Sequence, residues 1–395
     1  MTVLYNGPAI FAGSFRVFFF SAALWAIVSL GLWIIYLAAG VELAGDVISW
    51  HAHELIYGYG GAVVAGFAFT AIPNWIGRTP VRGGTLALMF GLWFIARLSA
   101  AALLFDIQAM NVASVSEILF FAMFVGLAAR EVIAGGNKRN FKIIAVFVLF
   151  FLSALVANLN RLELLEVPFL PWQTGLAILL LLICIIGGRI IPAFTANWLK
   201  KKLVEDGITN MDDQLPIMFN KFDVVVILFT VLTFVLFIAG YSGYTLFVSV
   251  AAMVLHVIRL MRWKGMKTFS SPIVLVLHIS YLWVPIGFAL LALSGMDLID
   301  ETTALHAWTI GAMGSTTLAV MTRATLGHAN LPLTDSAVLT AIYTAVNLAA
   351  ALRIMAAFMY DHYDMLIRAS GGMWLLAFGL FVLKFGPIHF AKSKL

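Results

Sequence analysis

The sequence predicts an all-α, polytopic membrane protein with about twelve transmembrane helices. The chain is 63% hydrophobic and 11% charged, and its mean hydropathy is +1.01. Soluble domains are typically about half apolar and about a quarter charged. The apolar runs are ~20 residues long, which suits a helix crossing a bilayer, and they lack the ~10-residue alternating segments of a membrane β-barrel.

Each apolar run of sufficient length is interpreted as one span, in chain order. The first six spans are predicted at 15–40, 50–73, 83–105, 112–134, 141–159 and 173–193. The second six are predicted at 220–240, 243–262, 270–294, 302–325, 335–358 and 370–390. We therefore expect one transmembrane domain over residues 1–395, arranged as six plus six spans.

The distribution of charge predicts the orientation of these spans. Basic residues lie in the loops after spans 2, 4, 6 and 8: Arg78, Arg82, Arg130, Lys138, Arg139, Lys142, Lys200, Lys201, Lys202, Arg262, Lys264 and Lys267. The alternate loops are acidic and contain Glu42, Asp46, Asp106, Glu163, Glu166, Asp297, Asp300 and Glu301; Arg161 and Arg368 are their basic exceptions. By the positive-inside rule, both termini are predicted to be cytoplasmic.

The longest connection, near 195–219, reads ANWLKKKLVEDGITNMDDQLP and is predicted to be a cytoplasmic linker between the halves. A six-plus-six layout is also common in secondary transporters. The sequence has no Walker-type phosphate loop, no GxGxxG after a strand and no GxSxG elbow. The net charge of +5 follows from the basic cytoplasmic loops and does not indicate nucleic-acid binding.

Six of the eight histidines lie in or beside predicted spans. Intramembrane ionisable groups are costly and usually functional, and imidazole is a common ligand of haem iron and copper. The topology predicts an outer group, His51, His53 and His306, and an inner group, His256, His278 and His328. The two groups predict two separate metal sites. His51 and His53 differ by ~200° around a helix, so they face different centres unless the helix starts between them.

Glycines and arginines near these histidines suggest a planar cofactor. Gly58, Gly61, Gly311 and Gly314 would let a flat macrocycle approach the backbone, although small-residue helix packing is an equal alternative. Arg97, Arg189 and Arg323 are candidates for pairing with haem propionates. Arg189 and Arg323 are equally interpreted as positive-inside anchors, whereas Arg97 lies deeper and needs a partner.

Glu54 directly follows His53 and is the candidate catalytic residue. It is interpreted either as a proton donor or as a carboxylate that orients a neighbouring imidazole. Glu117, Asn158 and Asp223 are further polar groups in spans, predicted to form interhelical hydrogen bonds or a proton path. His362 and His389 are predicted to be interfacial.

Several segments together resemble the NnrS family. They are WHAHE with its following glycines, AIPNWIGR, GGRIIPAFT, HVIRLMRW, LHISYLW and, most specifically, HAWTIGAMGSTTLAVMTRATLGH, and they span roughly residues 50–328. The resemblance implies a multi-pass protein of the bacterial inner membrane that contains haem and copper. It also implies a link to nitric oxide metabolism and to protection from nitrosative stress.

The favoured hypothesis from this resemblance is a membrane oxidoreductase with haem b and copper that reduces nitric oxide to N2O with electrons from quinol. The first alternative is a protein that binds metal and nitric oxide for protection or sensing, without turnover. The second is a transporter of a metal or small anion, in which the histidines form a transit site. A haem spectrum and N2O production distinguish these three hypotheses.

Overall fold

A computed structural model describes residues 5–39, 44–136, 141–207 and 212–392. These residues form helices, turns and loops and contain no β-strand, so the predicted all-α fold is confirmed. Glu42, Lys138 and Arg139, which contributed to the predicted orientation, lie outside the described residues, as does the middle of the predicted linker.

Seven long helices and one short helix account for the first half of the chain. They are α1 (Ser14–Ala39), α2 (Val47–His53), α3 (Gly60–Ile76), α4 (Gly84–Leu103), α5 (Met110–Ala134), α6 (Phe141–Arg161), α7 (Pro171–Glu205) and α8 (Lys221–Ile238). The second half consists of α9 (Ser242–Arg262), α10 (Pro272–Ser294), α11 (Glu301–His306), α12 (Ser315–His328), α13 (Ala337–Met355) and α14 (Tyr363–Phe390).

Two π-helical segments interrupt this α-helical pattern. The first π-helix, Glu54–Tyr59, joins α2 to α3, and the second, Ala307–Gly314, joins α11 to α12. Each begins directly after a histidine, His53 in one case and His306 in the other. Because π-helical turns are rare and frequently occur at functional sites, these two positions stand out in the fold.

Within the described residues, eleven helices are long and apolar enough to cross a membrane. The predicted span at 302–325 is helical but is not among the eleven. Its sequence, TTALHAWTIGAMGSTTLAVMTRAT, is rich in threonine and glycine, which lowers its hydropathy below that of the other spans. The chain is therefore a polytopic helical membrane protein, and eleven of the about twelve predicted spans reach this length and apolarity among the described residues.

The chain forms two compact units. Unit 1 contains Met1–Ile178, Met321–Pro332 and Phe378–Leu395, and unit 2 contains Leu179–Val320 and Leu333–Ala377. Three of the four boundaries fall inside α7, α12 and α14, the fourth lies in the loop between α12 and α13, and none follows the linker predicted near 195–219. This division does not test the expectation of a single domain over 1–395, which stays a prediction.

Inside unit 1, helices α1 and α3 pack closely against each other at Gly66, a residue without a side chain. Ser14 donates a hydrogen bond to the carbonyl oxygen of Gly66 (3.0 Å), and a side chain at Gly66 would meet the rings of Phe18 and Phe19. In a membrane, small residues and interhelical hydrogen bonds replace the hydrophobic driving force of a soluble core. This packing fixes the helix that continues from the first π-helix.

Candidate functional site: a buried His–Glu–Arg cluster below a cavity

A cluster of ionisable side chains lies buried in unit 1 around the start of the first π-helix. His53 comes from the end of α2, Glu54 from the π-helix, Arg97 from α4 and Glu117 from α5. Their exposed fractions are 4%, 0%, 2% and 2%, respectively. Charged groups at this depth are expensive, so their presence together is a functional indication.

Glu117 lies at the centre of the hydrogen bonds in this cluster. His53 Nε2 is 2.8 Å from Glu117 Oε1, and Asn158 Nδ2 donates to the same oxygen at 2.8 Å. A carboxylate only accepts, so the ring nitrogen Nε2 carries the hydrogen. His53 Nδ1 is then the ring nitrogen without a hydrogen, so it has a lone pair to offer. This is the arrangement in which a carboxylate orients an imidazole towards a ligand on its other nitrogen.

Arg97 bridges the two carboxylates. Its Nη1 donates to Glu54 Oε2 and its Nη2 donates to Glu117 Oε2. The sequence left Arg97 in need of a partner, and the structure provides two. Glu54 was considered as the residue orienting His51 or His53, but the hydrogen-bond partner of His53 is Glu117, while Glu54 pairs with Arg97.

Several buried polar atoms around this cluster have no hydrogen-bond partner in the described part of the chain. They are Glu54 Oε1, Arg97 Nε and Trp25 Nε1. Unsatisfied buried groups of this kind call for an explanation, such as a bound ion, water or proton. His53, Glu54 and Glu117 also form the only group of three or more potential metal ligands found among the described residues, with ligand atoms within 4.8 Å of one another.

The first π-helix and Gly58 allow these side chains to meet. Trp93 Nε1 donates to the Gly58 carbonyl oxygen at 2.8 Å, which ties α4 to the π-helix. A Cβ at Gly58 would meet the guanidinium of Arg97, Trp25 Nε1 and Glu54 Oε2. Gly58 was predicted to make room for a cofactor, and in the structure the adjacent space is taken by the polar cluster.

A cavity of about 410 Å³ borders the cluster in unit 1. Its polar lining includes His53, Arg161, Asn160, Gln108, Asp46 and Asp106, and its apolar lining includes Trp50, Leu104, Ile107, Leu170 and Trp172. The exposed lining residues come from loops that the charge pattern places on one side of the membrane, while buried His53 forms the inner wall. The cavity therefore extends from these loops to His53 of the cluster.

Asp46 caps α2 at the edge of this cavity. Its carboxylate accepts a hydrogen bond from the Ser49 amide at 3.0 Å. Hydrogen bonds from Ser49 hold the pKa of Asp46 below its ordinary value, because they stabilise the charged form. The cap also fixes the first turn of α2 and thereby the helix that carries both His51 and His53.

The two other histidines of the predicted outer group have different surroundings. Helix α2 starts before both His51 and His53, so the two rings point in different directions, and His51 stacks on Trp33 with ring centroids 4.5 Å apart. His306 is half-buried in unit 2, and its Nδ1 lies 2.6 Å from the carbonyl oxygen of Thr302. Because His306 belongs to unit 2, a shared outer centre stays a prediction.

In unit 2, His256 is part of a second polar network. Its Nε2 is 2.9 Å from Thr230 Oγ1 and its Nδ1 is 2.9 Å from the Tyr281 hydroxyl. Arg259 donates to the same hydroxyl at 2.6 Å and to Asp223 at 2.7 Å. Both ring nitrogens of His256 are therefore hydrogen-bonded, and a metal would have to displace one of these bonds.

The remaining predicted inner histidines differ in burial. His278 is 5% exposed, its Nε2 is 2.8 Å from Thr195 Oγ1, and its buried Nδ1 has no hydrogen bond in the described residues. His328 is exposed and its ring lies 5.6 Å from that of Phe15. The inner group also contains residues of both units, so its role as one metal site stays a prediction.

His389 was predicted to be interfacial, but the structure buries it completely. Within the described residues, neither of its ring nitrogens has a hydrogen-bond partner, and its ring lies 5.9 Å from that of Phe15 and 6.2 Å from that of Phe381. Its position near the chain terminus concealed this burial. The second histidine given that prediction, His362, is exposed.

Aromatic residues pack against the other predicted glycines. A side chain at Gly61 would meet Phe121, one at Gly311 would meet Trp283, and one at Gly314 would meet Trp374. These contacts are the small-residue packing considered as the alternative.

The two remaining predicted arginines lie outside the cluster. Arg189 is exposed, with its guanidinium carbon 5.5 Å from the centre of the Phe219 ring. Arg323 is half-buried in α12. Their proposed pairing with a cofactor stays a prediction.

Sequence reasoning missed the central position of Glu117 and the contribution of Arg161. Glu117 was noted only as a polar residue within a span, yet it holds His53 and Arg97 together. The signal for Arg161 was its charge, since it is one of two basic residues in otherwise acidic loops.

The fold and this site define a polytopic helical membrane protein with a buried histidine–carboxylate–arginine cluster next to a cavity. Comparison with protein families gives a match to the family described as NnrS protein over residues 9–392. The match covers nearly the whole chain, and the chain belongs to the NnrS family. Among curated proteins, no match to this chain is found.

Proposed function

We propose that this protein is a haem- and copper-containing oxidoreductase of the bacterial inner membrane that reduces nitric oxide to N2O. The reaction is 2 NO + QH2 → N2O + H2O + Q, where QH2 is a membrane quinol that supplies both electrons and both protons. Membership of the NnrS family supports the link to nitric oxide. The observation on which the proposal mainly rests is the buried cluster of His53, Glu54, Arg97 and Glu117 beside the cavity.

The donor atoms beside the cavity fit a bound metal. His53 is oriented by Glu117 through Nε2, so Nδ1 is the atom that would bind copper or haem iron. In the inner region, His278 Nδ1 is the buried ring nitrogen that lacks a partner among the described residues, so it fits a metal better than the doubly hydrogen-bonded His256. When bound, the haem and copper would supply binding of nitric oxide and transfer of electrons to it.

The protein's own groups relay the protons to the reaction site. Glu54 Oε1 is fully buried and has no hydrogen bond in the described residues, while Oε2 accepts from Arg97. This geometry suits a carboxyl group that carries a proton on Oε1 and releases it to a nearby acceptor. Arg97 stabilises the carboxylate that remains and keeps Glu54 in place for reprotonation.

The proposal is tested on purified protein reconstituted with lipid. We expect a Soret band, b-type bands after reduction, bound copper, and N2O production from nitric oxide with a quinol donor. His53→Ala should lower the metal content, whereas His362→Ala, which changes an exposed histidine, should not. Chelation of copper should also abolish N2O production. Absence of a haem spectrum after expression with ample haem would contradict the proposal and favour a transporter.

A second candidate function is binding of nitric oxide and metal without turnover. The ion pairs within the cluster favour this second function. Arg97 already pairs with both Glu54 and Glu117, which holds the two carboxylates in place. In that case nitric oxide should shift the haem spectrum, and no N2O should form with any electron donor. The same preparation therefore distinguishes the two functions.

A further inference from the structure

We infer that the cavity in unit 1 is a binding site for an organic monoanion, whose charged group pairs with Arg161 and whose apolar part lies against the surrounding aromatic and aliphatic walls. This inference concerns the cavity itself and requires neither a metal nor electron transfer, so it stands apart from the proposed redox function.

Arg161 is a positively charged residue outside the hydrogen-bonded cluster of His53, Glu54, Arg97 and Glu117. It is the last residue of α6, lines the cavity and is half-buried. Among the described residues it interacts with Glu54 and Glu117 only through longer-range electrostatics, without a hydrogen bond or an ion pair at contact distance. Arg97 occupies those carboxylates instead. The five donors of the Arg161 guanidinium are thus available to a ligand in the cavity.

The charge pattern of the sequence also marks Arg161. The loops on its predicted side of the membrane are acidic, and Arg161 and Arg368 are the exceptions. Arg368 is exposed, which suits an ordinary surface residue, whereas Arg161 lines a cavity. A guanidinium is well suited to a planar oxoanion such as a carboxylate, because it forms two parallel hydrogen bonds with it.

Helix ends of both polarities border the cavity. The first residues of α5 and α7, Met110 and Pro171, line it. The residues preceding these helices, Ala109 and Leu170, have no side chain that can accept hydrogen bonds from the first amide groups. The last residues of α4 and α6, Leu103 and Arg161, also line the cavity, so the opposed helix dipoles offset each other and the positive charge comes from the Arg161 side chain.

The acidic residues of the lining limit the charge of the ligand. Asp46 and Asp106 are exposed, so they lie towards solvent, and the carboxylate of Asp46 is engaged in capping α2. They oppose the entry of a multiply charged anion, which makes a monoanion the better fit. The walls formed by Trp50, Leu104 and Trp172 offer apolar surface, and about 410 Å³ lies within the range of small-molecule pockets.

The test uses the full-length protein in lipid nanodiscs, in chloride-free buffer, with radiolabelled benzoate as the probe. Benzamide has the same ring without the charge, and nitrite has the charge without the ring. We expect saturable benzoate binding, with benzamide competing at least about tenfold more weakly, since one charge-assisted pair is lost. Nitrite should also compete more weakly than benzoate, because it leaves the apolar walls uncovered. This comparison needs no variant.

Two substitutions then assign the charged contact. Arg161→Gln should weaken benzoate binding at least about tenfold, and Arg161→Lys should restore part of it. Arg368→Gln, the matched control, should bind as the wild type does. Equal competition by benzamide and benzoate, or unchanged binding by a folded Arg161→Gln variant, would overturn the inference. Equal competition by nitrite and benzoate would overturn the apolar part of it.

If Arg161→Gln fails gel filtration as a folded protein, Trp172→Ala takes its place. This change removes apolar wall and leaves Arg161 intact. We expect weaker binding of benzoate and little change for nitrite. The opposite pattern would overturn the assigned orientation of the ligand.

Discussion

At the residue scale, Gly58 decides whether the buried cluster can form. Its missing side chain leaves the space in which Arg97 and Glu54 meet Trp25. We expect Gly58→Ala to destabilise the protein by about 1–3 kcal/mol, the usual cost of overpacking, and to lower its metal content. Thermal unfolding and metal analysis measure both effects.

A matched glycine provides the control. Gly91 lies within α4, and a Cβ there would meet nothing within 4 Å. Gly91→Ala should be neutral or stabilising by up to about 1 kcal/mol, because alanine favours a helix more than glycine does. Similar unfolding temperatures for the two variants would contradict the role assigned to Gly58.

Glu54 is the residue whose substitution tests proton delivery. Glu54→Gln keeps the size of the side chain and can still accept a hydrogen bond from Arg97, so the metals should remain bound. N2O production should fall on the order of a hundredfold, the typical size of a general-acid contribution. The assay is N2O formed per bound haem.

The control for this change is Glu166→Gln, which alters an exposed carboxylate in the loop before α7. It should leave N2O production unchanged. Full turnover in Glu54→Gln with unchanged metals would remove Glu54 from the mechanism and leave it only a structural role beside Arg97.

At the element scale, the first π-helix sets the rotation of His53 relative to α3. Deleting Leu55 would remove one residue from this segment and rotate the residues before it by ~100° relative to those after it. His53 should then lose its contact with Glu117. We expect the deletion variant to lose the metal beside the cavity, as measured by metal analysis.

Leu55→Ala tests whether this effect comes from register and not from the lost side chain. It keeps the number of residues, so the metal content should stay close to that of the wild type. A deletion variant that retains its metal would show that the π-helix does not position His53.

At the scale of the whole molecule, the charge pattern predicts that both termini are cytoplasmic. Green fluorescent protein at the C-terminus should therefore fluoresce. Alkaline phosphatase fused after Leu164, in the loop between α6 and α7, should be active, and a fusion after Glu205 should be inactive. The reverse pattern of activities would invert the topology and place the cavity on the cytoplasmic side.

The division of the histidines into an outer and an inner group, called here the two-layer arrangement, is also a prediction about the whole molecule. His306→Ala should remove one metal and spare the other, because the outer and inner groups are predicted to be separate sites. The measurement is copper and haem content of the purified variant. Loss of both metals from a protein that stays folded would contradict the two-layer arrangement.

Much of the fold could be predicted from the sequence, because lipid leaves few alternatives to a membrane-spanning helix. The length and apolarity of each run were enough to place the spans, and the segment HAWTIGAMGSTTLAVMTRATLGH was enough to indicate the family. The same segment is less apolar than the other predicted spans, because its threonines and glycines lower its hydropathy. The sequence also identified His53, Glu54 and Arg97 as costly groups that need partners.

Only the tertiary structure decided which partners those groups have. His53 and Glu117 are 64 positions apart, and they meet because α2 and α5 are rotated so that the two side chains face each other. A π-helix shifts that rotation by one residue, and hydrophobic periodicity does not reveal it. The sequence by itself determined that this protein is a polytopic helical membrane protein of the NnrS family with ionisable groups inside the membrane. The structure decided that Glu117 and Arg97 join those groups into one cluster, because helix rotation and packing, unlike apolar length, are set by contacts between distant residues.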